Sequence, residues 1–324
     1  MTGVAQAPPP IADPASSTRR RRIGTSELQV FPLAISGNVF GWTASATDTE
    51  DVLDAYWRLG GNFVDTADAY AGGRSEVMIG NWMRDRCNRG EMVVATKVGK
   101  GADSPGVTQR AITRSVNSSL ERLGTDHIDL LYLHIDDATV PFEETLLAVD
   151  ALVSAGKVRY FGASDHTENR LVEARVISAQ LGATPMTALQ SHYNLIHRRP
   201  FEGTLARVAR EQGLGVMPRF ALESGFLSGK YRSRADLASQ PRGREASVHL
   251  NKRGLRILGV LDEVALHHAV VPATVALAWL LSRPNVVAPV VSASRVGQVA
   301  QLMAAASVVL TRAQVSELER VSAA

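Results

Sequence analysis

The chain has 324 residues, 45% of them hydrophobic and 21% charged, which suits a single large enzyme domain. Its formal charge of +3 (35 basic, 32 acidic) depends on Arg19 to Arg22, since without those four the balance is 31 to 32; no basic stripe for nucleic acid remains. The single cysteine, Cys87, excludes an internal disulfide and a cysteine-rich metal site, and no apolar run approaches the roughly 18 residues that span a membrane.

Residues 1–18 are rich in proline and small side chains, cannot bury enough apolar surface to fold, and are expected to form a disordered tail ahead of one domain over 19–324. No apolar segment of a secretion signal follows the basic cluster, so a cytoplasmic protein is expected. A first strand is predicted over Phe31 to Ser36, with Trp42 in the loop after it. A helix follows from Asp48 to Leu59, capped by Thr47 or Asp48 and closed by Gly60 and Gly61. Strands are then predicted over Asn62 to Thr66, Met92 to Val98, Ile128 to Ile135, Val158 to Ala163, Thr187 to Ser191 and Gly215 to Arg219. Helices alternate with them: Ser75 to Arg86 with Ser75 as cap, Gln109 to Leu123, Phe142 to Ala155, Leu171 to Leu181 and Thr204 to Gln212. A long segment from Phe220 to Arg253 precedes helices over Leu255 to His268 and Ala273 to Leu281. An eighth strand, Val286 to Val291, and helices over Val296 to Ala305 and Thr311 to Val321 complete the chain. Eight strands alternating with helices predict a parallel sheet closed as a (β/α)8 TIM barrel, a fold of about 250 residues.

In such a barrel, chemistry sits at the carboxyl ends of the strands. Asn62 to Tyr70 (N-F-V-D-T-A-D-A-Y) runs from an apolar strand into Asp65 and then Tyr70. Two more strands end in a functional group: M-V-V-A-T-K in Lys97, and I-D-L-L-Y-L-H in His134. A phenol ordinarily titrates near 10, and an ammonium held beside it by a carboxylate favours proton loss. Asp65 with Lys97 could be only a buried ion pair, and His134 alone only a satisfied core histidine; their convergence on Tyr70 favours a proton-transfer site. The pair His267 and His268 near a helix end has no ligand partners at useful spacing, so no metal is expected. Gly99, Gly101 and Gly106 match neither phosphate-loop spacing and are assigned to turns.

D-T-A-x-x-Y, the T-K and Y-L-H strand ends, G-A-S-D at 162–165 and L-Q-S-H-Y-N at 189–194 together resemble the aldo-keto reductases, of the NADPH-dependent bacterial type. The resemblance runs in order from about Arg22 to Ala306. It implies that Asp65, Tyr70, Lys97 and His134 are catalytic and that Trp42 lines the substrate pocket. It further implies a cofactor, NADPH/NADP+, lying across the barrel mouth. Ser164, Asp165 and Gln190 would meet its nicotinamide amide. Arg219, Phe220, Leu222, Gly225 and Lys230 would run along it toward the diphosphate, and Ser292, Ser294 and Gln298 would lie at the adenosine end. Arg295 would favour a 2′-phosphate, and the 220–253 segment, with Arg242 and Arg244, is expected to cover the phosphates.

Three positions depart from the family's pattern. Asp165 stands where it usually has asparagine, Arg219 where it has an aromatic that stacks on the nicotinamide, and Leu302 where it has an asparagine near the adenine. A guanidinium at position 219 is expected to oppose the positive charge that develops on the ring, unless it turns toward the phosphates or Glu223. The implied activity is reduction of an aldehyde or ketone, with Tyr70 as general acid. A regulatory NADP(H)-binding subunit with little turnover is the alternative. The expected partner is a small-molecule carbonyl substrate, with no nucleic acid and no membrane; the substrate's identity and the oligomeric state are not legible.

Overall fold

The computed structural model describes residues 20–238 and 240–323, so the expected tail at 1–18 lies outside the described residues. Eight parallel strands form one sheet: β1 Ala34–Ser36, β2 Phe63–Asp65, β3 Val93–Val98, β4 Ile128–Leu133, β5 Val158–Ser164, β6 Ala188–His192, β7 Gly215–Arg219 and β8 Val290–Val291. Their spatial order follows the chain, with β8 beside β1. Bonds from Val216 N to Asn285 O (2.9 Å) and Val287 N to Val216 O (2.8 Å) draw the last segment against β7. The predicted TIM barrel is therefore observed, sealed between its last two strands by short contacts.

The helices are α1 Ala46–Arg58, α2 Arg74–Arg86, α3 Gln109–Leu123, α4 Phe142–Ser154, α5 Glu168–Leu181, α6 Thr204–Glu211, α7 Gly243–Ser247, α8 Lys252–His268, α9 Pro272–Leu281, α10 Val299–Met303 and α11 Arg312–Ser322. Helix α3 shows the local logic. The Thr108 side chain accepts from Ala111 N, and Gly124 in the left-handed region returns its N–H to the last turn. Between these ends Ile112, Val116 and Leu123 are buried at helical spacing. Among the described residues no single helix is long and apolar enough to cross a membrane.

Several boundaries differ from expectation. Ser45, not Thr47 or Asp48, caps α1; Asp48 is the reciprocal partner three residues on, and its carboxylate accepts from Ser45 N. Gly73 precedes α2, because Ser75 Oγ is already committed to Gly37 O (2.8 Å) and lies 2.8 Å from Thr66 Oγ1, tying the loop after β1 to the end of β2. Strand β8 is only two residues long, since Pro289 has no N–H for the ladder; its carbonyl accepts from Ala34 N (2.9 Å) instead. The helix expected from 296 to 305 is divided into a 3₁₀ turn, the short α10 and a second 3₁₀ turn.

Alternation along the strands sorts the barrel into an apolar lower layer and a polar top. Phe63, Ala95, Leu130, Tyr132, Ala188 and Met217 pack together inside the barrel. Two residues further along the same strands, the same inward parity delivers Asp65, Lys97, His134, Gln190 and Arg219. Intervening residues such as Val94, Leu131 and Leu189 pack outward against the helices.

The lower end is plugged by a hairpin, Arg21–Arg22 with Gln29–Val30, that brings Ile23, Leu28 and Val30 into the interior. The chain enters the plug through Gly24, at φ +51°, where an added Cβ would stand 2.2 Å from Thr187 O. Gly24→Ala should therefore cost about 2–4 kcal/mol, from backbone strain plus a backbone clash. Urea unfolding measures this, and a loss below about 0.5 kcal/mol would show that the plug can shift freely.

Candidate functional site

A cavity of about 990 Å³ opens at the carboxyl ends of the strands, and its wall includes Tyr70, His134, Gln190 and Arg219. Beneath it lies the buried pair of Lys97 on β3 and Asp65 at the end of β2. The Lys97 ammonium donates to Asp65 Oδ1 and to Thr66 O (2.9 Å), while Gln190 Nε2 donates to the second carboxylate oxygen, Oδ2 (2.8 Å). Burial works against the Lys97 charge, but Asp65 and the nearby Tyr70 outweigh it and hold the ammonium above its ordinary pKa. Breaking a buried pair of this kind costs about 3–5 kcal/mol, because the remaining charge has no solvent to receive it.

Tyr70 opens a turn after β2, with Lys97 Nζ 5.0 Å from its ring centroid. Its ring meets that of His134 nearly perpendicularly, 6.2 Å between centroids. A second phenol, Tyr132, also lies near Asp65 but is fully buried in the lower layer, and burial pushes its pKa well up. Of the two phenols only Tyr70 borders the cavity. His134 is driven down to about 3, first by burial and then by the charges of Lys97, Lys100 and Arg219. It is thus a neutral imidazole, with a buried Nδ1 that has no hydrogen-bond partner among the described residues.

Most of the other expected site residues border the same cavity: Trp42 at the first loop, Asp165, Phe220, Leu222, Gly225 and Lys230 along its length, and Ser292, Ser294, Arg295 and Gln298 at the far side. Ser164 is buried beside it, its backbone oxygen 3.0 Å from His166 Nδ1. Gln298 uses its side-chain oxygen to accept from Ser294 N (2.9 Å) and Arg295 N (3.2 Å), so it shapes the turn that presents those residues. Leu302 also lines this end, an apolar wall where a polar adenine contact is the family's habit.

Arg219 resolves an expectation left open by the sequence. It turns neither to the phosphate end nor to Glu223 but makes two bonds to Asp165, Nε to Oδ1 at 2.9 Å and Nη2 to Oδ2 at 2.7 Å. Two of the departures from the family's pattern are thereby each other's partners, and the guanidinium carries a counter-ion at the cavity wall. Asp165 reaches it from a left-handed backbone, φ 57°.

Of the two arginines expected over the phosphates, Arg242 faces the cavity, its guanidinium 5.6 Å from the Trp42 ring, while Arg244 is exposed outside it. Glu223, not anticipated as a site, accepts from His192 Nε2 (2.7 Å), His249 Nε2 (3.0 Å) and Asn194. Burial opposes its charge, yet these bonds hold its carboxyl well below the usual range. His249 belongs to the 220–253 segment, so the carboxylate fastens that segment to β6. Sequence periodicity carries no sign of it, because Asn194 and His249 lie in loops and His192 is the last residue of its strand. At the end of α8, His268 Nε2 lies 3.0 Å from Gln314 Oε1, and among the described residues no group of three or more possible ligands stands close enough to hold a metal.

His134 yields a stability test. Its folded pKa lies near 3 and its ordinary value is 6.5, so between those limits the unfolded chain binds more protons and stability falls as pH falls. His134→Phe should lose less stability than the parent when pH drops from roughly 6 to 4, measured by urea midpoints. Parallel curves would mean that the imidazole can be protonated in place.

Residues 34–323 match the Aldo/keto reductase family. The chain is 32% identical to a probable voltage-gated potassium channel subunit beta of Oryza sativa subsp. japonica, over 93% of this chain and 95% of that protein. It is 30% identical to an aryl-alcohol dehydrogenase of Pestalotiopsis microspora, over 96% of this chain and 84% of the relative. A norsolorinic acid reductase of Aspergillus flavus is 29% identical, over 90% and 78%. With the barrel, the buried Asp65–Lys97 pair and Tyr70 beside it, these likenesses agree with what the motifs imply: the chain belongs to the aldo/keto reductase family.

Proposed function

We propose that the protein reduces an aldehyde or ketone to an alcohol with NADPH, Tyr70 acting as general acid. The observation that carries this reading is the juxtaposition of a buried Lys97 whose charge Asp65 favours, a cavity-lining Tyr70 and a neutral His134. NADPH, when bound, supplies a hydride to the carbonyl carbon. Tyr70 gives its proton to the carbonyl oxygen, and the adjacent ammonium favours the phenolate left behind. His134 cannot be a proton source at working pH, so its part is an N–H directed at the same oxygen, sharing the developing negative charge. Asp65 keeps Lys97 in place and Gln190 keeps Asp65 in place.

The cavity also suits an elongated, anionic cofactor. Lys230 and Arg295 face it without a salt bridge among the described residues, and Gln190 and Asp165 border it as well. A cleft cation with no direct ion pair is a ready partner for phosphate. On this reading Arg295 meets a 2′-phosphate and Lys230 the diphosphate.

A second reading is supported by the relative named as a potassium channel subunit: a cofactor-sensing subunit whose turnover is very slow. Carbonyl-dependent loss of NADPH absorbance separates the two. For an enzyme, Tyr70→Phe should lower kcat by about 10²–10⁴ while NADPH affinity stays nearly constant. A variant that keeps more than half of the parent's rate would remove Tyr70 from the mechanism.

The Arg219–Asp165 pair makes a separate forecast. Arg219→Tyr alone strands the carboxylate, so NADPH affinity should drop, whereas Arg219→Tyr with Asp165→Asn should recover most of it. The coupling expected between contacting charges is about 0.5–3 kcal/mol, readable by fluorescence titration of the four proteins. Strictly additive effects would mean that the pair separates when cofactor binds.

A further inference from the structure

Positive charge in the cavity exceeds what its own carboxylates balance, and the excess is divided between two ends. Lys100, Arg219, Lys230, Arg242 and Arg295 all border it, against Asp48 and Asp165. Asp165 is taken by Arg219, and Asp48 is engaged in the cap of α1 through Ser45. Lys230 and Arg295 lie where the proposed cofactor would bring its phosphates. Lys100 and Arg242 flank the reacting groups instead: the charge of Lys100 helps depress His134, and Arg242 stands close enough to Tyr70 to interact with it.

The fold fixes the backbone that carries each cation: Lys100 is exposed on a constrained turn, and Arg242 is half-buried. Lys100 sits in a turn pinned by Asp68, whose Oδ2 accepts from Gly99 N (3.2 Å). That turn presses so closely that a Cβ on Gly101 would stand 2.7 Å from the same oxygen. Arg242 is half-buried at the start of α7, its guanidinium beside the exposed ring of Trp42, and burial lowers its pKa. Neither makes a salt bridge among the described residues. Arg242 feels the charge of Glu245 on α7 but has no direct ion pair, and a half-buried planar guanidinium in that state is suited to receive a carboxylate.

We propose that the carbonyl substrate is itself an anion: a carboxylate-bearing aldehyde or ketone whose acid group is received by Arg242 and Lys100. Its carbonyl oxygen then meets Tyr70 and His134, and its body lies along Trp42. The assignment rests on the reductase reading above and moves Arg242 from the cofactor's phosphates to the substrate.

The test compares 4-carboxybenzaldehyde with its methyl ester, two flat aldehydes that differ chiefly in charge. The acid should exceed the ester in kcat/KM by about tenfold or more, as expected for a charge-assisted contact in a partly buried site. That ratio should fall several-fold in Arg242→Leu and in Lys100→Met. The proposal is overturned if the ester is as good as the acid, or if the ratio survives both substitutions. It is equally overturned if Arg242→Leu weakens NADPH binding more than tenfold and leaves the ratio intact, which would return Arg242 to the cofactor. Calorimetric binding of the same two compounds to the NADP+-loaded protein needs no turnover. Tighter binding of the acid, lost in Arg242→Leu, supports the anion site even if no carbonyl oxidises NADPH and the reductase reading fails; equal binding overturns the anion site whatever the reductase assay gives.

Discussion

A lysine ammonium sealed inside a barrel constrains everything around it. Lys97 has almost no contact with solvent, so its charge persists only because Asp65, Thr66 O and Tyr70 surround it. Asp65 in turn needs both oxygens satisfied, one by Lys97 and one by Gln190 from the far side of the barrel. Strands β2, β3 and β6 are thus linked across the interior by a polar chain on top of an apolar layer. A one-residue shift in strand register would move these groups to the outer face, where α-helices pack. The electrostatics and the barrel register depend on each other.

The same confined charge explains why His134 stays neutral. Burial alone disfavours imidazolium, and Lys97, Lys100 and Arg219 add repulsion from three directions. Two groups of the site are thereby set apart: the Tyr70 phenol stands beside the Lys97 ammonium at the cavity, and the His134 imidazole is held neutral. This division follows from placement rather than from residue type, since Tyr132, a few residues away in the chain from His134, is chemically the same as Tyr70 but has no access to the cavity.

Loops around the rim are held by acids that take no part in the proposed proton transfer. Glu223 draws together His192, Asn194 and His249, anchoring the long 220–253 segment beside residues with left-handed backbones, Phe220, Glu223 and Ser224. Asp68 fixes the turn that carries Lys100. Strain of this sort persists only where surrounding bonds overdetermine the conformation, and here those bonds aim cavity-lining side chains. The rim is consequently a built surface, positively charged overall and apolar at Trp42 and Phe220.

Apolar runs and helical patterns were enough to set out eight strands, their helices and the strand ends that carry Asp65, Lys97 and His134. These are local regularities: a period of two along a strand decides which face a side chain takes, whatever its neighbours in space. Residue motifs carried the family and the cavity-bordering positions from Asp165 to Gln298. Tertiary structure alone decided the contacts between loops. Arg219 and Asp165 are 54 residues apart and Arg242 and Trp42 far more, and no periodicity relates them. Nor could the sequence tell that Ser75 would be spent on Gly37, or that Glu223 would gather two histidines. Where a long polar side chain ends depends on which counter-charge stands within a few ångströms after folding, and that distance exists only once the barrel has closed.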